Sequence, residues 1–428
     1  MQKIKKIYKK VGTKIFSNSL WMICEKFISL FSVLIINALI AKYVGPEIFG
    51  KIAYASSIFV FVQTLAWFGT QNILHKRLSE NIKSGLYLSY STQYLRRLTV
   101  AFSSILVLIY FGLYESPIVL FFGFANALAA YFIISDYYAI YNNSVLSSRL
   151  NVLANVIGML VALLVRAIII HFNLDYIYLT IPIVLISLIP YFIKRKFFYQ
   201  RNSKINLNLR SHYLYNKYII YTGGALLLST ISVAVYNQIS NIYLAKLVGF
   251  NELGVFNAAM LLGGSWVFVI NAISISFFSK IYSEKNDKNI MHYMGILIVF
   301  TLGISICVLF LFFMFGEIVV NYLYGEKFKE LNFIVPYIIL AATLSCLGSI
   351  TYRYMLKYNA YKYLMVKMLL LSLISIFTSY IFIKKNGVYG AVYNYILIEF
   401  LSLTIFNYFF HKGRVLRMHL SVFKINGG

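Results

Sequence analysis

Long apolar runs, each about the length of a membrane-crossing helix, follow one another along the whole chain, separated by short polar or basic stretches. A helix rises 1.5 Å per residue, so roughly 20 apolar residues cross a hydrocarbon layer about 30 Å thick. On that measure the pattern predicts spans near 17–40, 48–73, 94–114, 117–141, 150–171 and 175–193. A second set follows near 218–244, 252–278, 292–315, 331–356, 362–383 and 388–410. Gly45-Pro46, Pro117 and Gly387 open the second, fourth and last spans, as residues that start or interrupt helices do. The runs are continuous rather than alternating, which excludes a transmembrane β-barrel. The expected fold is an all-α polytopic membrane protein of about twelve transmembrane helices.

The pattern also repeats. AKYVGPEIFGKIAYA (Ala41–Ala55) returns as AKLVGFNELGVFNAA (Ala245–Ala259), and Leu39–Glu80 lies on Tyr243–Glu284 without a gap. Asn37 meets Asn241, Lys42 meets Lys246, Gly45 meets Gly249 and Gly50 meets Gly254. Further on, DYYAIYNN (136–143) matches RYMLKYNA (353–360) at a longer offset, the extra residues fitting the external loop that holds YGEKFKE (324–330). Each half thus carries six spans. An even number returns the chain to its starting side, so the halves are parallel, related by an axis along the membrane normal. This predicts two six-helix lobes, 1–205 and 206–428, around a central cavity. Gly45 and Gly50 are read as structural, permitting a tight external turn and close packing.

Composition agrees: 60% of the residues are hydrophobic and 12% charged, against roughly 25% charged in soluble domains. The net charge of +26 raises a nucleic-acid reading, but Lys and Arg cluster between the apolar runs rather than on a binding face. Most fall in Met1–Lys14, in the 194–217 linker and in other connections on the same side, whereas 112–117 and 171–175 carry none. That bias places both termini in the cytoplasm and removes the nucleic-acid reading. The first span has a counterpart in mid-chain, so it is not read as a cleaved signal peptide. No connection is long enough to hold a separate soluble domain. Cys24, Cys307 and Cys346 show no disulfide or metal spacing and read as small buried hydrophobes. No metal site or cofactor is expected.

The turn LIAKYVGPEIFG (39–50), the two six-span halves, NYLYGEKFKE (321–330) and GVYGAVYNYILIE (387–399) together resemble the polysaccharide flippases. These are the Wzx-type O-antigen transporters of the multidrug/oligosaccharidyl-lipid/polysaccharide (MOP) exporter superfamily. The resemblance covers nearly the whole chain. It implies a bacterial inner-membrane protein that moves undecaprenyl-pyrophosphate-linked oligosaccharide from the cytoplasmic to the periplasmic leaflet, through a V-shaped cavity and by alternating access. The substrate chemistry fits such a cavity: pyrophosphate and sugars cannot cross hydrocarbon, while the polyprenyl tail need not leave it. A monomer contains a complete transport path, and H+ or Na+ is a possible coupling ion.

Ionisable residues inside spans are costly, about 2.5–3.5 kcal/mol at the helix centre on insertion scales, and are functional candidates for that reason. They are Glu25 and Lys26 in the first span, Asp136 in the fourth, Arg166 in the fifth, Arg353 in the tenth and Glu399 in the twelfth. Asp136 and Arg353 occupy matching positions in the two halves. Arg353 is the candidate for the pyrophosphate, with Asp136 pairing with a cation or titrating; snorkelling to the interface is the bland alternative. Glu25 and Lys26 point about 100° apart on a helix, so one can face the cavity and the other the interface. Arg166 lies near the external end of its span, where it could draw an anionic head group outward. Glu399, Glu25 and Asp136 are candidates for ion coupling. Tyr236, Asn237, Ser240 and Asn241 form one polar helical face, and Asn37 mirrors Asn241; interhelical hydrogen bonds explain such a face as well as a wet cavity does.

Two rivals follow. A MATE-like drug or cation antiporter shares the two-lobe plan and would favour more buried acids. A membrane glycan polymerase or ligase would need a large external loop with a clustered His, Asp or Glu constellation, which this sequence lacks; no enzyme is expected.

Overall fold

The computed structural model describes residues 34–202 and 212–420 with their side chains, apart from Ala225, Ile275, Ser276 and Ser279. For residues 2–33, 209–211 and 421 it describes the helical backbone alone. The first part of the chain forms α1 (Gln2–Trp67), α2 (Thr70–Glu80), α3 (Ile82–Tyr114), α4 (Pro117–Ser135), α5 (Tyr137–Ser144), α6 (Ser148–His171) and α7 (Thr180–Arg201). The second forms α8 (Leu209–Leu247), α9 (Phe250–Gly264), α10 (Val267–Ser283), α11 (Asp287–Leu323), α12 (Leu331–Lys357), α13 (Tyr361–Leu403), α14 (Ile405–Tyr408) and α15 (Arg414–Ser421). No strand occurs among the described residues.

Among the described residues, eight helices are long and apolar enough to cross a membrane, ten when each bent pair is one span. Two of the long helices are themselves interrupted by a glycine. Gly45 (φ 78°, ψ 171°) breaks α1 and Gly387 (φ 55°, ψ −128°) breaks α13, conformations that a side chain bearing a Cβ rarely adopts. The hydropathy pattern predicts about twelve spans; the described residues show eight to ten. Pro117 stands at the first position of α4, as expected, where its missing N–H costs no helical hydrogen bond.

The helices turn apolar side chains outward as well as inward. Phe102, Ile105, Ile109 and Leu113 on α3, and Ile306, Phe310 and Phe313 on α11, are exposed at helical spacing. On the opposite side of α3, Val100 and Phe111 are buried. A helix whose solvent-facing side is apolar is dissolved in lipid, with every backbone group satisfied within the helix. The chain is a multi-pass membrane protein.

The described residues group into two compact units. One is Tyr54–Ala234; the other is Leu34–Ala53 together with the chain from Val235 onward. Leu34–Ala53, which precede the cut near residue 205 that the repeat predicts, group with the second unit. In the first unit α6 packs along α7 and α4 joins them, around a core of Leu78, Leu86, Tyr137, Tyr138, Tyr141, Tyr191 and Phe198. In the second, α12 packs against α9, α11 and α13, with Ile334, Val335 and Ile338 fully buried.

Candidate functional site

In the first unit the polar residues gather where the fourth span breaks. Asp136 separates α4 from α5, with φ −85° and ψ 61°. One carboxylate oxygen accepts from the Ala139 N–H at 3.1 Å, capping α5, and the other accepts from Lys194 Nζ at 2.8 Å. An aspartate at the N-cap satisfies a helix donor that has no partner in its own helix. The Lys194 side chain is 5% exposed and that of Asp136 14%, so the charges form a largely desolvated pair.

Beside this pair, Arg97 donates to Ser135 Oγ at 3.0 Å and to the Tyr191 hydroxyl at 3.1 Å. Arg96 is fully buried; it donates to the Ser89 and Thr92 carbonyls and lies over the Trp67 ring. The two asparagines of DYYAIYNN hold the next turn. Asn142 Nδ2 donates to Asn151 Oδ1 at 2.9 Å, and Asn151 Nδ2 donates to Asn143 Oδ1 at 2.8 Å.

The second unit holds its buried carboxylate differently. Glu399 on α13 accepts a hydrogen bond from the Tyr236 hydroxyl of α8. Ser345, Tyr395 and Lys367 stand near it, and α12 passes so close that a Cβ on Gly348 would lie 3.8 Å from Glu399 Oε2. One turn along α8, Ser240 Oγ is 3.1 Å from Ser379 Oγ and accepts from Asn394 Nδ2 at 3.3 Å. Thr378 donates to Asn394 Oδ1. Lys367 is buried and donates to Asn407 Oδ1 at 2.9 Å. Neutral hydroxyls and amides therefore partner every charged group of this cluster.

The repeated motif has a physical reason within the second unit. A Cβ on Gly50 would lie 1.8 Å from the Phe250 carbonyl oxygen, and one on Gly254 would lie 1.9 Å from that of Pro46. Pro46 and Phe250 are themselves repeat equivalents, as are Gly50 and Gly254, so the contact is reciprocal: each copy of the motif presents its glycine to the other copy's backbone. Such self-complementarity is the signature of a two-fold relation, here within one chain, and small residues allow helices to approach this closely. The YGEKFKE loop closes on the same motif. Lys42 Nζ donates to the Tyr322 carbonyl at 2.9 Å, and the Lys327 side chain lies beside Gly45.

The remaining sequence candidates are dispersed. Arg353 is half-buried at the end of α12, over the Phe278 ring at 5.8 Å, and its carbonyl accepts from the Tyr282 hydroxyl. Arg166 is half-buried on α6, and its Nε is shielded without a hydrogen-bond partner. Asn37 is half-buried. Asn241 is buried; it donates to Gln238 Oε1 and accepts from Asn257 Nδ2. Asn237 is exposed, so the polar face expected on the seventh span divides: Tyr236, Ser240 and Asn241 turn inward and Asn237 outward. Glu25, Lys26 and Cys24 lie outside the residues whose side chains are described. Cys346 is buried as expected, but Cys307 is exposed on the apolar outer face of α11, a correction to the reading of the cysteines as buried. A thiol is weakly polar enough to face lipid.

Arg96, Arg97, Lys194 and Lys367 escaped the sequence reading. Lys194 lies just past an expected span, and Arg96, Arg97 and Lys367 lie within the first turns of theirs. The helices run further than hydropathy alone indicates: α3 starts at Ile82 and α7 continues to Arg201.

The fold is shared with membrane transporters of the MOP superfamily. A lipid II flippase, MurJ, in an inward closed conformation superposes with a TM-score of 0.69 at 16% identity, covering 95% of this chain and 91% of that one. An inward-facing multidrug-resistance MATE family transporter gives 0.66 at 15% identity, covering 92% and 96%. An outward-facing one gives 0.63 at 16% identity, covering 95% and 96%. No protein-family model matches the chain, and no curated protein matches it in sequence.

Proposed function

We propose that this protein is a flippase that carries a polyprenyl-pyrophosphate-linked oligosaccharide, an O-antigen or related surface-glycan repeat unit, from the cytoplasmic to the periplasmic leaflet of a bacterial inner membrane. It works as a monomer by alternating access and is not an enzyme. The observation that carries the reading is the sign of the buried charge. Among the described residues the buried charged side chains are Arg96, Lys194, Lys367 and Glu399; with Lys194 paired to the shielded Asp136, Arg96 and Lys367 remain against one carboxylate. A surplus of positive charge in a low-dielectric interior favours an anionic head group and disfavours a cation. The rival MATE-like antiporter of cationic drugs shares the fold and would need the opposite balance.

Glu399 is the group we assign to proton coupling. Its partners are hydroxyls, which accommodate the carboxyl with or without its proton. Arg353 is the residue we assign to the pyrophosphate at the cytoplasmic end.

The test is deletion of the gene followed by lipid analysis. The expected result is accumulation of one polyprenyl-pyrophosphate oligosaccharide that stays inaccessible to periplasmic enzymes, with export restored by the wild-type gene. Arg353→Ala is expected to restore export poorly and Arg353→Lys largely. Normal lipid-linked intermediates in the deletion strain, together with increased sensitivity to cationic drugs, would favour the antiporter.

A further inference from the structure

Where α13 begins and the chain leaves α14, the two segments enclose a cavity of about 440 Å³. It opens between Asn359, Tyr361 and Lys362 on one side and Phe409 and His411 on the other. Both segments adjoin the ends of the apolar stretch Tyr361–Tyr408, which Gly387 breaks and which returns to the side where it began. The cavity therefore sits at the level where hydrocarbon gives way to head groups.

Its lining divides by chemistry. Phe409 is 77% exposed and Tyr361 64%, an apolar border of the kind that aromatic residues form at membrane interfaces. Lys362 is an exposed cation and His411 an exposed hydrogen-bonding side chain, and no carboxylate is among the lining residues. Lys362 makes no ion pair among the described residues. His411 is held flat against the Phe410 ring, 4.1 Å between centroids and 13° between planes. The turn that presents it is unusual: His411 (φ 42°), Lys412 (φ 56°) and Gly413 (φ 80°) are left-handed in succession. Such conformations persist where the surrounding structure holds a side chain in a set place.

We propose that this cavity binds the phosphate of an anionic phospholipid, with Lys362 and His411 on the phosphate and Tyr361 and Phe409 against the glycerol and upper acyl chains. A free phosphate would leave both aromatic rings uncovered, which is why the lipid is the occupant. The basic bias of the connections puts this end on the cytoplasmic side, where the leaflet is negatively charged. The proposal does not depend on what the protein carries.

Native mass spectrometry of the full chain in detergent, titrated with phosphatidylglycerol or phosphatidylcholine, tests it. The wild type is expected to retain one phosphatidylglycerol that phosphatidylcholine does not replace. The double variant K362A/H411A is expected to bind it more weakly, by roughly fivefold or more from loss of the lysine charge. K362R/H411Q keeps one cation and a side-chain N–H donor and is expected to keep the lipid, which separates these contacts from folding. Equal retention by wild type and K362A/H411A overturns the proposal, and so does inorganic phosphate that competes as well as the phospholipid.

Discussion

The two units bury ionisable groups by different means. In the first, Asp136 meets the ammonium of Lys194 and caps α5 with its other oxygen, so that charge answers charge. In the second, Glu399 rests on the Tyr236 hydroxyl and Lys367 on the Asn407 amide. An ion pair in a dry interior tolerates the loss of neither member, because the survivor is left charged and unsolvated. A carboxyl held by neutral donors keeps a partner whether or not it carries a proton. The first arrangement fixes a helix break; the second is suited to exchanging a proton.

The largest effect follows from that contrast. Asp136→Ala strands Lys194 and uncaps α5, and is expected to destabilise the protein by about 3–5 kcal/mol, the usual cost of breaking a buried pair. Thermal unfolding in detergent measures it. Adding Lys194→Met should recover most of the loss, since removing both charges spares the desolvation of each. If the single variant unfolds no earlier than the wild type, the pair is not the desolvated unit described above.

Next come the paired glycines. Gly50→Ala and Gly254→Ala each drive a methyl into a backbone carbonyl, and overpacking of this kind costs about 1–3 kcal/mol. Because the contact is reciprocal, the two variants should destabilise by similar amounts. The double variant should cost less than their sum, since the first methyl already parts the two segments. Strictly additive losses would mean that the glycines act independently.

This contact explains why so much of the fold could be read from the sequence and so little of the site. Hydropathy reports the length of apolar runs, and those lengths are set by the membrane; the motif glycines repeat because each copy needs the other's backbone. Gly45, Pro117 and Gly387 mark breaks that follow from backbone chemistry alone. Buried charge leaves no such trace. Lys194 looks like a loop residue until α7 is seen to extend past the apolar run, Lys367 stands in the first turns of its span, and Asp136 and Lys194, 58 residues apart, show no local pattern. Glu399 was visible as a deep acid, but its partner Tyr236 lies 163 residues away. Asn237 and Asn241 sit one turn apart on α8 and diverge in exposure, because neighbouring helices, not spacing alone, decide which side of a helix is covered.

A smaller effect on stability, but a sharper one on transport, is expected at Glu399. Glu399→Gln keeps an oxygen to accept from Tyr236, so the midpoint should move by no more than about 1 kcal/mol, the scale of a single net hydrogen bond. Transport driven by a pH gradient in proteoliposomes should lose its dependence on that gradient. Destabilisation as severe as that of Asp136→Ala would erase the distinction between the units; transport that still follows the gradient would remove the proton from Glu399.

The smallest effect is local and lies outside the candidate membrane-spanning helices, in α15. Val415 and Met418 are fully buried, and Arg414 pairs with Asp287 at 2.7 Å and lies 3.6 Å from the Tyr358 ring centroid. His419 sits 3.3 Å from both Thr351 Oγ1 and the Tyr408 hydroxyl, again with neutral partners. Burial lowers its pKa from 6.5 to about 4. Between those values the undocked helix binds a proton that the docked helix refuses. Docking is therefore fully present above pH 6.5 and weakens as pH falls toward 4, by at most about 1.4 kcal/mol per pH unit. Hydrogen exchange at residues 414–420, corrected for intrinsic rates, should show protection at pH 7.5 that declines by pH 5, while α12 stays protected. His419→Gln should flatten that decline. Protection that is equal at both pH values in the wild type would show that the imidazole charges in place, and this end of the second unit would then owe its docking to the Arg414–Asp287 pair, the device that the first unit uses.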